Sequence, residues 1–136
     1  MAGGNVISSN QRHLDMRAAK NQSFLARLRF ACAGLVHGVR TEHSLRIQLL
    51  LFGLVLIALV VLRPGPAWWA LVVLASAGVI SAELFNTAVE HLADHLHPDV
   101  HPSIRIVKDC SAAAVLIASL AALAVAAALV VHLVAP

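Results

Sequence analysis

The chain has 136 residues, 60% of them hydrophobic and 12% charged, with a formal charge of +3 from 10 basic and 7 acidic side chains. A soluble domain runs nearer half apolar and about a quarter charged, so this composition excludes an ordinary soluble globular domain and points to an integral membrane protein of one domain. Cys32 and Cys110 lie far apart with no CxxC spacing, which excludes a disulfide framework and a thiolate metal site.

Residues 1–22 are polar and lack periodicity, and read as a mobile tail ahead of a domain over 23–136. The first apolar run comes too late for a cleavable secretory signal. In "SFLARLRFACAGLVHGVRTEHSLR", Phe24, Leu28, Ala31, Leu35 and Val39 recur at helical spacing with Arg27, Arg29 and Arg40 among them. That pattern predicts an amphipathic surface helix over about 24–40, lying on the membrane because no soluble domain exists for it to pack on.

"IQLLLFGLVLIALVVL", Ile47 to Leu62, follows. At 1.5 Å per residue it covers roughly 24 Å, so a few flanking residues complete a span over about 45–62. "RPGP", Arg63 to Pro66, stops it with a short turn. "AWWALVVLASAGVISA", Ala67 to Ala82, starts a second span over about 67–96, with Trp68 and Trp69 where an aromatic belt places them. Cys110 to Ala135 is a run of 26 residues without a formal charge, predicting a third span over about 108–135. Its alanines suit close helix–helix approach.

Basic residues set the orientation. Arg12, Arg17, Lys20, Arg27, Arg29, Arg40 and Arg46 precede the first span, Arg63 lies in the first turn, and Arg105 and Lys108 lie in the second loop. The bias favours an inside N-terminus and an inside second loop. The surface helix and that loop then share the cytoplasmic face, where ATP is available.

Glu83, Asn86 and Glu90 are spaced i, i+3, i+7 and share one face of a helix, and Asp94 continues the stripe. Ionisable residues in or near a bilayer core are costly and functional by default. Glu83 is the deepest of them, directly after Val79-Ile80-Ser81-Ala82. Desolvation disfavours a charged carboxylate, which suits Glu83 to general-base work. The bland alternative has the helix leave the membrane at Ala82 with Glu83 merely solvated. Glu42, just before the first span, and Glu90 together can hold a hard cation such as Mg²⁺, which takes one or two carboxylates plus substrate phosphates. Lys108 and Asp109 open the third span. A lysine there serves either as a point charge for phosphate or as membrane anchoring.

His91, His95, His97 and His101 invite a zinc reading, but HExxH is absent and no cysteine lies in the loop, so they read as polar surface. GxxxxGK[ST] and GxGxxG are also absent, which excludes a P-loop and the soluble protein-kinase architecture.

"AELFNTAVE" (Ala82 to Glu90), followed after 17 residues by "KDCSAAAVL" (Lys108 to Leu116), resembles the signature of the small bacterial integral-membrane diacylglycerol kinases and their close relatives, the undecaprenol kinases. The family pattern is roughly E-[IL]-[IL]-N-[ST]-A-[IV]-E, then K-D-x-x-[SA]-A-A-V, and the resemblance covers about residues 23 to 135. It implies an all-α membrane protein, with an N-terminal amphipathic surface helix and three transmembrane helices per subunit. It also implies a homotrimer whose active sites are shared between neighbours. It implies that Glu83 is the general base for the lipid's primary hydroxyl, with Asn86 ordering the site. It further implies that Glu42 and Glu90 hold Mg²⁺ on the ATP phosphates, and that Lys108, Asp109 and the stretch Asp99-Val100-His101 touch the nucleotide. Leu45 and Arg46 match a Phe-Arg pair near the lipid and the site entrance.

Two departures bear on the lipid. The enteric-type kinases read E-A-A-F-R-Q-E before the first span, whereas "EHSLRIQ", Glu42 to Gln48, stands nearer the E-R-N-x-[KR]-I-H-L of the undecaprenol kinases. After Lys108-Asp109, Ser111-Ala112 replaces Gly-Ser. The expectation is therefore an ATP- and Mg²⁺-dependent lipid kinase of the bacterial inner membrane, multi-pass with a cytoplasmic site. Its expected substrate is diacylglycerol, with undecaprenol as the alternative, and it has no nucleic-acid partner. Outside that class stand a non-enzymatic membrane scaffold, indifferent to chelator, and a small transporter, which consumes no ATP.

Overall fold

In the computed structural model, residues 23–97 and 101–135 are described, so the expected tail over 1–22 lies outside them. Four helices follow one another: α1 (Phe24–Thr41), α2 (His43–Leu62), α3 (Pro66–Leu96) and α4 (Pro102–Val134). The chain divides into two units, the first ending at Val36 and the second running from His37 onward, so α1 begins in one and ends in the other.

In the first unit, Ser23 Oγ accepts the Ala26 N–H at 3.3 Å, a side-chain bond to an otherwise orphaned donor at the helix start. Phe24, Leu25, Leu28 and Phe30 are all exposed, and the Arg29 guanidinium stands 5.7 Å from the centre of the Phe30 ring.

The second unit holds α2, α3 and α4, each long and apolar enough to cross a membrane. At 1.5 Å per residue, the 20 residues of α2 reach about 30 Å, a bilayer core. The 31 residues of α3 reach about 46 Å, and its last turns therefore project beyond a hydrocarbon layer. The connection between the two follows from its residues. Arg63 takes the left-handed conformation (φ 49°, ψ 49°) and its N–H closes on Leu59 O at 2.9 Å. Pro64 cannot continue the helix, Gly65 caps the next, and Pro66 sits in the first turn of α3, where its missing N–H costs nothing. Helix α4 starts in the same way, with Pro102 in its first turn and His101 as the cap, Nδ1 accepting the Ser103 N–H at 3.2 Å. It therefore begins well ahead of the uncharged run at Cys110.

Two packed regions hold the spans together. Near the α2–α3 turn, Leu59, Val72 and Leu129 form a buried cluster flanked by Val55, Leu56, Trp68, Trp69 and Val125. At the other end, Leu45 is fully buried. There the backbone of α1 comes so close that a Cβ on Gly38 would stand 2.9 Å from methyls of both Leu45 and Leu84. The His37 ring meets the His91 ring edge-on at 5.3 Å in the same region. Most of the remaining surface of the spans is uncovered: only 6–17% of each apolar window is buried.

Candidate active site

The polar stripe lies on the second half of α3. Glu83 comes 15 residues after Trp68, about 22 Å along the axis, a distance shorter than a bilayer core of about 30 Å. The structure buries it, at 5% exposure. A carboxylate in such a place needs donors, and α2 supplies them from one face. Ser44 Oγ donates to Glu83 Oε1, and Gln48 Nε2 donates to Glu83 Oε2 at 3.1 Å. Ser44 and Gln48 are i, i+4 and so stand one above the other on α2. Thr87 Oγ1 donates back to the Glu83 carbonyl at 3.0 Å, satisfying its own hydroxyl within α3.

One turn further along α3, Asn86 Nδ2 donates to Glu90 Oε1 at 2.9 Å and Asn86 Oδ1 accepts from Ser111 Oγ at 2.7 Å. The Ser111 hydroxyl also lies 2.9 Å from the Lys108 carbonyl. Two turns beyond Asn86, Lys108 Nζ of α4 lies 2.5 Å from Asp94 Oδ1. The Glu83–Asn86–Glu90–Asp94 face is thus joined to α2 at its deep end and to α4 at its outer end.

Some of the expected site residues come together and some do not. Glu83, Asn86 and Glu90 form the continuous face, with Lys108 across from it. Asp109 points along its own helix to Arg105 at 3.7 Å, with both side chains largely exposed. His101 is engaged as the α4 cap. Glu42 occupies the N-cap position of α2 with no side-chain cap bond, and its carboxylate is half-buried. Arg46 Nη1 donates to the Val39 and Arg40 carbonyls at 3.3 and 3.2 Å, capping the end of α1. The Leu45 side chain is packed inside, against Gly38. Asp99 and Val100 lie outside the described residues. Among the described residues no cluster of three or more histidine, cysteine or acidic side chains forms.

Spacing along one helix does not reveal Ser44, Gln48 and Ser111, which the structure places against the stripe. The available signal is the polarity of Gln48 inside an otherwise apolar run and its i, i+4 relation to Ser44.

Comparison with known proteins gives this face its context. The family model described as "Prokaryotic diacylglycerol kinase" matches residues 29–130. A protein of Synechocystis sp. named "Diacylglycerol kinase" is 34% identical over 104 residues, covering 76% of this chain and 59% of that protein. A protein of Bacillus subtilis named "Undecaprenol kinase" is 32% identical over 82 residues, 60% of this chain and 67% of that protein. The chain therefore spans less than two thirds of the cyanobacterial relative's length. No solved structure matches it significantly. The match takes in all three spans up to Val130, and with them the whole α3 stripe and its α2 and α4 partners. The chain belongs to the prokaryotic diacylglycerol kinase family.

Proposed function

We propose that the protein is a membrane lipid kinase, transferring the γ-phosphoryl group of ATP to the primary hydroxyl of diacylglycerol to make phosphatidic acid. The observation that carries this reading is the burial of Glu83 on a membrane-spanning helix between two donors of α2. Both its oxygens are held in place by donors of α2.

In this reading Glu83 takes the hydroxyl proton as the lipid oxygen forms its bond to the γ-phosphorus and the bond to the β–γ bridging oxygen breaks, releasing ADP. Phosphoryl transfer asks mainly for positioning and charge neutralisation, so a base, a lysine and carboxylates suffice in a chain this small. Asn86 keeps Glu90 and Ser111 in register. Lys108 offers its charge to the phosphates. Asp109 and His101, with Asp99 and Val100, complete the nucleotide side. Arg46 and the buried Leu45 shape the entrance to the lipid side.

The donor set fits a hard divalent ion. Glu90 and Glu42 would offer it carboxylate oxygens, and a site closed by phosphates needs only one or two such ligands. Glu42 and Glu90 would hold Mg²⁺, and the ion would supply charge neutralisation to the nucleotide phosphates.

The orientation read from the basic residues puts this site on the cytoplasmic side of the bacterial inner membrane, with the first part of α1 at the surface. The polar face lies on spans that one copy leaves mostly uncovered. A homotrimer, each copy closing its neighbour's site, removes that exposure.

A second substrate has its own support. "EHSLRIQ" stands near the undecaprenol-kinase pattern, and the B. subtilis relative is named for that lipid. The test is ATP-dependent labelling of lipid in mixed micelles with diacylglycerol or undecaprenol, using wild type and Glu83→Gln. The expected outcome is labelled diacylglycerol with wild type and loss of most labelling with the variant. Equal labelling by both proteins removes Glu83 as the base, and preference for undecaprenol reassigns the substrate.

A further inference from the structure

Gln48 uses only half of its amide. Its Nε2 donates to Glu83 Oε2 at 3.1 Å, which points the amide nitrogen at the carboxylate and turns the carbonyl end away. The other end, Oε1, is buried and, among the described residues, has no hydrogen-bond partner. A buried acceptor left unpaired is costly, and native structures keep few of them. The same residue lines a cavity of about 340 Å³ between α2, α3 and α4, whose walls include Leu51, Phe52, Val79 and Leu123. The lining is almost wholly apolar, and Val79 and Ile80 carry it to within one turn of Glu83. Gln48 is therefore where an oily space, an unpaired acceptor and the candidate base meet.

We infer that Gln48 is a positioning residue with two separate tasks: its N–H holds the Glu83 carboxylate, and its carbonyl oxygen receives the hydroxyl of a long-chain lipid alcohol entering through the apolar cavity. This rests on the kinase reading and adds to it the route of the lipid and the group that first meets it. A hydroxyl has one hydrogen. On arrival it is given to Gln48 Oε1; during transfer the hydroxyl rotates and the proton passes to Glu83 as the oxygen–phosphorus bond forms. The Oε1 contact belongs to the bound lipid and the Nε2 contact to the reacting base, so losing them affects different kinetic constants. Ser44 shares only the second task. The hydrocarbon tail, whether acyl or polyprenyl, shares the chemistry that the cavity wall offers.

The experiment is steady-state kinetics of the purified full chain in mixed micelles, with diacylglycerol in one arm and undecaprenol in the other. Gln48→Met keeps the length and removes both polar ends. It is expected to lower kcat and to raise KM for the accepted lipid, each by roughly tenfold, the scale of one lost hydrogen bond to a charged or buried partner. KM for the nucleotide should hold. Ser44→Ala should lower kcat alone, and Ser44→Thr, which keeps the hydroxyl, should restore it. Gln48→Asn, too short to reach, should follow Gln48→Met and serves if the latter does not fold. A wild-type lipid KM in the Gln48 variants overturns the inference, as does a nucleotide KM that rises in step with that of the lipid. A wild type active on neither lipid overturns the kinase reading itself, a distinguishable failure.

Discussion

The ion pair between Lys108 and Asp94 sets a quantitative expectation for nucleotide binding. The lysine is the cation across from the stripe, and it is already engaged. For a phosphate to receive that charge, the pair must loosen. The two side chains are 34% and 63% exposed, so water and salt screen the attraction heavily despite the 2.5 Å contact. Exposed pairs of this kind are worth about 0.2–1 kcal/mol. That converts to a factor of about 1.4 to 5 in a binding constant. Asp94→Asn removes the competing charge while keeping a polar side chain of the same shape, and should lower the nucleotide KM by a factor in that range. Because the interaction is screened, the difference between variant and wild type should shrink as ionic strength rises. The assay is kinase activity against nucleotide concentration at low and high salt, with lipid held constant. A raised KM refutes the reasoning, since it makes Asp94 a group that orients Lys108 for phosphate rather than one that competes for it. A lowered KM insensitive to salt refutes the electrostatic part.

Two further outcomes follow from packing and from the oxygen-rich donor set. Gly38→Val places branched carbon where a single Cβ already comes within 2.9 Å of Leu45 and Leu84. It should destabilise the protein by about 1–3 kcal/mol, read as a lower midpoint of thermal unfolding in detergent; an unchanged midpoint denies the close approach of α1. Chelation of divalent ions should abolish phosphorylation and added Mg²⁺ should restore it, while activity that survives chelator removes the roles given to Glu42 and Glu90.

The sequence exposes the spans and the stripe for simple reasons. A bilayer tolerates no exposed backbone, so each crossing must be a long apolar helix, and three such runs are plain to see. Glu83, Asn86 and Glu90 stand out because polar side chains at i, i+3, i+7 are unexpected in a greasy chain. The start of α4 is less legible, because Arg105, Lys108 and Asp109 dilute its first turns and the capping signal rests on Pro102 alone. What spacing cannot give is the pairing between helices. That Gln48 rather than a neighbour meets Glu83, or that Ser111 meets Asn86, depends on how α2 and α4 rotate and slide against α3. Packing of Gly38, Leu45, Leu59, Val72 and Leu129 decides that, and no periodicity within one segment records it. Arg46 likewise reads as an entrance residue by motif, yet its reach back to Val39 and Arg40 belongs to the corner between α1 and α2.

Helix α3 is a single unbroken rod of 31 residues, with tryptophans near one end and the stripe near the other. Beyond its first turn it carries no proline to kink it, so the height of Glu83 follows from the helix rise. That height is a fixed ruler length from the aromatic anchors, about 22 Å. A thicker leaflet pair sinks Glu83 further beneath the glycerol level, and a thinner one lifts it toward water, at a modest mechanical cost per ångström. Turnover on this reading is tuned by the acyl length of the surrounding phospholipids, with the membrane's own dimension acting as the control knob.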